Sequence, residues 1–245
     1  DYTNTAAAAE ARGDNYTCPV ARDANGNIIY DANGNPRHMI FNYGGVNYEF
    51  QGGDAIYEDI NHDGQINELD IVYLGSSNPK ISGGFGFDFK YGRWTLKTNF
   101  NFRIGNKIVN MALMKAEDMM YNRNQATSVN ARWRKNGDRT DMPRALNSAA
   151  ADGNVYNALA SDRYVSSGDY LRFQYLQLSY RVPEKFLKKY GLRQLNISAS
   201  GNNLIFWSKY SGTDPDHSQS GYGPTIDDAQ TPRSRSFTLS LNVGF

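Results

Sequence analysis

A single cysteine, Cys18, stands among 245 residues, which excludes an intrachain disulfide and a thiolate zinc cluster. No run of about 18 apolar residues occurs, so the sequence encodes no transmembrane helix. Neither sign of charge is in excess. The 26 Lys and Arg are met by 25 Asp and Glu, so the basic surplus of a nucleic-acid binder is missing. Histidine is limited to His38, His62 and His217. The opening "DYTNTAAAAEARGDNY" has neither an initiator Met nor an apolar leader, and the sequence is expected to be a piece of something longer. What is abundant is aromatic and turn-forming: 17 Tyr, 12 Phe and 23 Gly mark a β-rich, turn-rich chain. A mean hydropathy of -0.64 does not argue against a membrane, because a spanning β-strand alternates and its apolar half disappears in the average.

Residues 1–58 read as loops. Within them "DANGN" occurs twice, at Asp23–Asn27 and Asp31–Asn35, and each Asn-Gly favours a tight turn with positive φ. These are read as two turns rather than as metal or sugar contacts. From Ile81 the pattern sharpens. Ile81, Gly83, Phe85, Phe87, Phe89 and Tyr91 take one face; Ser82, Gly84, Gly86, Asp88 and Lys90 take the other. After a turn at Gly92, Trp94, Leu96, Thr98, Phe100, Phe102 and Ile104 alternate with Thr95, Lys97, Asn99, Asn101 and Arg103. Each run matches the roughly 9–11 residues that a tilted strand needs to cross a bilayer.

Three more strands follow. In "DYLRFQYLQLSYRVP", Leu171 and Phe173 are in one phase and Leu176, Leu178, Tyr180 and Val182 in the other, a slip near Tyr175 that predicts a β-bulge. "EKFLKKYGL" predicts a helical turn closed by Gly191. A strand from Leu195 to Trp207 and a last one through Phe237, Leu239, Leu241, Val243 and Phe245 complete the set. The stretch "NMALMKAEDMMYNRN" predicts a short helix whose Met111, Met114 and Met119 are assigned to packing rather than to metal.

Alternation suits two architectures: a soluble sandwich and a transmembrane barrel. Aromatic residues flanking the tight turn, Tyr91 and Trp94, favour the barrel, as an interfacial girdle does. So do the connections, which run short at Gly92, long at 105–168, short at 183–192 and long at 208–233. The expected fold is all-β: the C-terminal strands of a large antiparallel transmembrane barrel. Residues 1–80 form an extracellular loop region and 81–245 carry the strands and long outer loops. Five strands are too few to close a wide lumen, so more must lie elsewhere in the parent chain.

"DINHDGQINELD" has the spacing of a calcium loop. Asp59, Asn61 and Asp63 are expected to offer side-chain oxygens, Gln65 its backbone carbonyl and Asn67 a direct or water-borne contact, with Asp70 closing the site. Gly64 takes the sharp turn and Ile66 is the apolar anchor. Without a cation, the carboxylates of Asp59, Asp63 and Asp70 repel one another. A structural calcium ion is therefore the expected cofactor. No second loop of this kind is present. No catalytic constellation emerges either, since Asp214, Asp216, His217 and Ser218 are merely neighbours in a polar loop. The chain is not expected to be an enzyme.

Three stretches carry a family resemblance. "YEDINHDGQINELDIVYLGSSNPKISGGFGFDFKYGRWTL", "GDYLRFQYLQLSYRVPEKFLKKYGLRQLNISASGNNLIFWSKYSGTDPD" and "TPRSRSFTLSLNVGF" together resemble the C-terminal part of SusC/RagA-type TonB-dependent transporters of Bacteroidetes outer membranes. The resemblance covers most of residues 55–245, while 1–54 match loosely. It implies a barrel of about 22 strands with a plug. It also implies a SusD-like surface lipoprotein as lid, drive from TonB–ExbB–ExbD, and import of oligosaccharides or peptides across outer-membrane lipid. The plug and the energy-coupling region are not in this sequence. From the residues alone, a secreted calcium-stabilised β-sandwich binding module or adhesin stays open as the alternative.

Overall fold

The computed structural model describes residues 20–135, 138, 140–146, 156–216 and 225–245, and the chain divides into two compact units. One comprises 75–111 and 165–245 and is dominated by a five-stranded antiparallel sheet. Its strands are β4 (Ile81–Tyr91), β5 (Trp94–Ile104), β8 (Tyr170–Arg181), β9 (Gln194–Ser208) and β11 (Ser236–Gly244), and a small sheet of β6 (Lys107–Asn110), β7 (Val165–Ser167) and β10 (Ile226–Asp227) belongs to the same unit. The five lie in the order β11-β9-β8-β5-β4, so each pairs with the sheet strands next to it in sequence. Gly92, at φ 58, makes the minimal turn between β4 and β5. A short helix, Glu184–Leu187, and a 3-10 turn ending at Gly191 (φ 69) join β8 to β9.

Register carries one chemistry across all five strands. Phe89 lies opposite Leu96, Leu96 opposite Leu178, Leu178 opposite Ala199 and Ala199 opposite Leu239. One residue along, on the other face, Asp88, Lys97, Gln177, Ser200 and Thr238 form the matching row. Rings reinforce the apolar face: Phe85 stacks on Phe100 at 5.0 Å and Phe100 on Phe173 at 4.5 Å, geometries that add to the area term. At the turn end Tyr91, Trp94 and Tyr180 form a row of amphipathic rings. The expected bulge is present, with the register of β8 shifting between Phe173 and Tyr175. On β9 the same level holds Asn203 at φ 53.

Among the described residues no second layer covers the apolar face over its outer strands. β4 is exposed at every position, with Phe87 at 63 %, and on β11 Phe237 reaches 77 %. A sandwich would bury these rings, each worth about 1.5–3 kcal/mol when removed from water. A continuous exposed apolar band of this width is the surface that hydrocarbon covers.

The other unit, 1–74 with 112–164, has a core of its own. Here the reading of 1–58 as loops is corrected. β1 (Ile40–Tyr43) and β2 (Val46–Glu49) form a hairpin about Gly44 (φ 63) and Gly45 (φ 81), and β3 (Gln65–Ile66) pairs in parallel with β1. The strands are only a few residues long, too short for alternation to show, yet the Gly-Gly pair was the signal for a two-residue turn. Upstream, the two "DANGN" copies fold as near-identical turns. Asp23 Oδ1 accepts the amides of Asn25 and Asn27, and Asp31 Oδ1 those of Asn33 and Asn35. The Asn27 side-chain amide, the largest influence, and the backbone amides hold the Asp23 carboxyl below its usual range. The helix α1 (Met111–Glu117) forms where expected, and beyond it Met119 packs with Val129 and Met142.

Phe50, Met39, Ile66, Leu146 and Tyr156 build the core of this unit, with Tyr48 stacked on Tyr156 at 4.0 Å. A charge sits inside it. Asp54, fully buried, accepts hydrogen bonds from Arg144 Nε (2.5 Å), Asn157 Nδ2 (2.9 Å), the Tyr48 hydroxyl (2.8 Å) and the Gln51 amide (2.8 Å). Burial, together with the Asp54 charge, pushes the Tyr48 phenol well above the ordinary tyrosine range and keeps it a donor. Removing one partner strands the other charge in the core. Asp54→Ala is therefore expected to destabilise this unit by about 3 kcal/mol, read by hydrogen exchange of 40–50 and 156–164 in the full-length protein; unchanged protection there contradicts the assignment.

Candidate functional sites: an acidic loop and an ionic cluster at the strand ends

The acidic loop, 59–70, is closed by its own side chains. Asp59 accepts the amides of Asp63 (3.2 Å) and Gly64 (2.7 Å), and Asp63 accepts that of Gln65 (2.7 Å). Asn61 Oδ1 also takes the Asp63 amide, at 3.1 Å. Asp70 folds back across the loop, its two oxygens accepting the amides of Ile60 (2.9 Å) and Asn67 (2.8 Å). Asn67 caps the 3-10 helix Glu68–Asp70 through the Leu69 amide. Gly64 takes the turn at φ 80, and Ile66 is buried in the core next to β1, with Ile40 N donating to Gly64 O at 3.2 Å.

Asp59, Asn61, Asp63 and Asp70 are thus brought into one small ring of chain. The Gln65 side chain turns away to Asn42 (2.7 Å), leaving only its backbone carbonyl for the loop. Among the described residues no three His, Cys, Asp or Glu side chains converge as a metal-holding group, since the carboxylates of this ring are spread over backbone amides. The donor set is all oxygen, the chemistry of a hard cation.

A second cluster lies where β8 begins. By register Arg172 faces Asn101, and Tyr170 faces Arg103, which puts all three long side chains on the polar face. They meet the segment after β9. Arg172 Nη2 donates to Asp214 Oδ1 at 2.6 Å, and both side chains are 3 % exposed. Asp216 receives the Tyr170 hydroxyl at 2.8 Å, with Arg233 at 3.1 Å, Arg103 at 3.6 Å and Arg172 at 3.8 Å. Nearby Tyr210 donates to Asp227 at 2.7 Å, and burial with that carboxylate raises its phenol far above the usual range. Asp214 and Asp216 lie in a loop, as expected, and what the sequence does not show is that Asp214 forms a buried ion pair with Arg172, 42 residues away along the chain. His217 and Ser218 lie outside the described residues.

No family model matches this chain. Among curated proteins it is 30 % identical over 200 residues to TonB-dependent receptor P3 of Formosa agariphila, covering 79 % of this chain and 19 % of the relative. To TonB-dependent receptor P26 of the same organism it is 29 % identical over 202 residues, covering 79 % and 20 %. The curated proteins it matches are TonB-dependent receptors. It spans about a fifth of the length of the curated relatives it matches. Its fold is that of the RagAB peptide importer in the closed-closed state, at a TM-score of 0.61, 19 % identity, and coverage of 89 % of this chain and 20 % of that one. The sheet is accordingly a stretch of barrel wall rather than half of a sandwich. Among the described residues no helix is long and apolar enough to cross a membrane, which says nothing of strands.

In this chain the loop depends on one backbone conformation. A Cβ at Gly64 would stand 2.9 Å from Ala21 Cβ, at a φ that side chains avoid. Gly64→Ala is expected to cost about 1–2 kcal/mol locally and to speed hydrogen exchange in 59–70; exchange unchanged from the parent protein counts against the turn.

Proposed function

We propose that this chain forms wall and outer loops of a SusC/RagA-type transporter in a bacterial outer membrane. The cargo is oligosaccharide or peptide, captured under a SusD-like surface lipoprotein and moved by TonB–ExbB–ExbD acting on a plug outside this chain. The observation that carries the reading is the register: one apolar face and one polar face maintained without a break over five strands. The apolar face meets lipid, the row Tyr91–Trp94–Tyr180 sits at the interface, and Asp88, Lys97, Gln177, Ser200 and Thr238 line the aqueous side. The relatives named TonB-dependent receptors support the transporter class, and the RagAB peptide importer supports both the two-component architecture and a peptide cargo. The parent protein is expected to be extracted only with detergent and to migrate differently on gels before and after boiling. A parent that stays monodisperse without detergent overturns the assignment.

The acidic loop is assigned as a structural calcium site. Asp59, Asn61 and Asp63 bind through side-chain oxygens, Gln65 through its carbonyl, Asn67 directly or through water, and Asp70 closes the loop. A bound divalent cation would offset the mutual repulsion of the Asp59, Asp63 and Asp70 carboxylates. Ile66 and the pairing of β3 with β1 then fix the loop to the hairpin β1–β2. Chelation with EGTA is expected to remove about 2.7 kcal/mol where calcium had stood about 100-fold above its Kd, with faster exchange in 55–75. Identical melting and exchange with and without EGTA reject the ion.

A further inference from the structure

We propose that Arg103, Arg172 and Arg233 form a subsite for an oxyanion group of the cargo, a carboxylate or a sulfate ester. In the resting chain Asp216 fills it. The inference rests on the transporter reading, which makes the polar face of the sheet the cargo side.

Three observations carry it. First, among the described residues three guanidinium groups converge on two carboxylates, and all three lie within 4.0 Å of the single carboxylate of Asp216. Guanidinium groups gathered this closely repel one another, and a further negative charge is favourable there. Second, Arg172 is buried, and its Nε has no acceptor. A guanidinium normally presents its donors as a fork that matches two oxyanion oxygens, and here part of the fork is unused. The group is held in place, lying over the rings of Tyr170 (5.6 Å) and Phe206 (5.5 Å). Preorganisation of this kind lowers the cost of binding.

Third, the two acids are not equivalent. Asp214 is an anchor: 3 % exposed, at 2.6 Å from Arg172, and also accepting the Asp216 amide at 3.0 Å. Asp216 is more exposed, at 13 %, held by the Tyr170 hydroxyl at 2.8 Å and by ion pairs at 3.1 to 3.8 Å, and its partners Arg103 and Arg233 are 25 % and 44 % exposed. An incoming oxyanion therefore reaches Arg233 and Arg103 first and displaces Asp216 while Asp214 stays. Asp216 acts as a built-in competitor, so the cargo's apparent affinity is reduced by the fraction of time the acid occupies the site. At the strand ends where the long connections lie, such a site senses cargo at the mouth of the barrel.

The test uses the full-length transporter in detergent, with sulfate, acetate and chloride at matched ionic strength. Sulfate or acetate, but not chloride, is expected to raise hydrogen exchange at 210–216 by about threefold or more, because displaced Asp216 frees its segment. The arm that responds separates a sulfate ester from a carboxylate as the preferred group. By calorimetry, Asp216→Asn is expected to bind the responding ion about tenfold more tightly and Arg233→Ala to lose it. Equal exchange in all three salts, or an Asp216→Asn protein that binds no tighter, overturns the subsite. The wild-type exchange arm needs no variant to fold. A wild-type protein that needs no detergent would refute the transporter reading instead, so the two failures are distinguishable.

Discussion

Strand register is the constraint on which the sheet depends. A shift of one residue in the pairing of β4, β5 and β8 would place Asp88, Lys97 or Arg103 among Phe85, Phe89 and Leu178. In hydrocarbon such a shift is far more costly than in water, because a charge at that depth has no solvent to retreat to. The aromatic rows enforce the register locally: Phe85, Phe100 and Phe173 can stack only if their three strands are aligned. The minimal turn at Gly92 fixes the first pair at its closed end. Hydrogen bonds hold the ladder together, but side-chain chemistry decides which ladder forms.

The second unit is stabilised in a different way. Its strands are short, and its core is assembled from residues far apart in sequence, tied by a buried carboxylate that meets an arginine 90 positions away. Burying that pair is expensive in itself, and the hydrogen bonds from Tyr48, Gln51 and Asn157 are what make it tolerable. Such a network gives the unit a single arrangement, which an oily core of similar size would leave loosely specified. The acidic loop joins this core through the Ile66 side chain, the pairing of β3 with β1 and the Asn42–Gln65 bond, so order in the loop and order in the hairpin are linked.

What was legible in the sequence follows from these differences. Period-two alternation announced β4, β5, β9 and β11, and in β8 two alternating stretches with a change of phase after Phe173 announced both strand and bulge. Turn chemistry announced the folds at Asp23 and Asp31. The hairpin at Ile40–Glu49 escaped because four-residue strands carry too little pattern, although Gly44-Gly45 marked it. The ionic cluster escaped for another reason. Nothing in "DYLR" or "DPD" states that Arg172 and Asp214 meet, because their proximity is created by the pairing of β8 with β9 and the path of the chain beyond it. Ion pairs between distant residues are properties of topology, and a linear pattern does not contain them.

The bulge has a consequence for which side of the wall the arginine occupies. Below it, odd-numbered residues of β8, Tyr175, Gln177 and Ser179, share the polar face; above it, even-numbered Tyr170 and Arg172 do. Gln174, as the one surplus residue, inverts parity partway along the strand. Were Gln174 taken into regular pairing instead of bulged, Arg172 would share the parity of Leu176 and Leu178 and emerge into lipid, and its partners Asp214 and Asp216 would have no cation from this strand. On β9 two residues are added at the same level, so parity there is unchanged and Phe206 stays on Arg172's side. A single inserted residue thus acts as a half-turn in the wiring of the wall, sending a charge inward that a regular strand would have sent out.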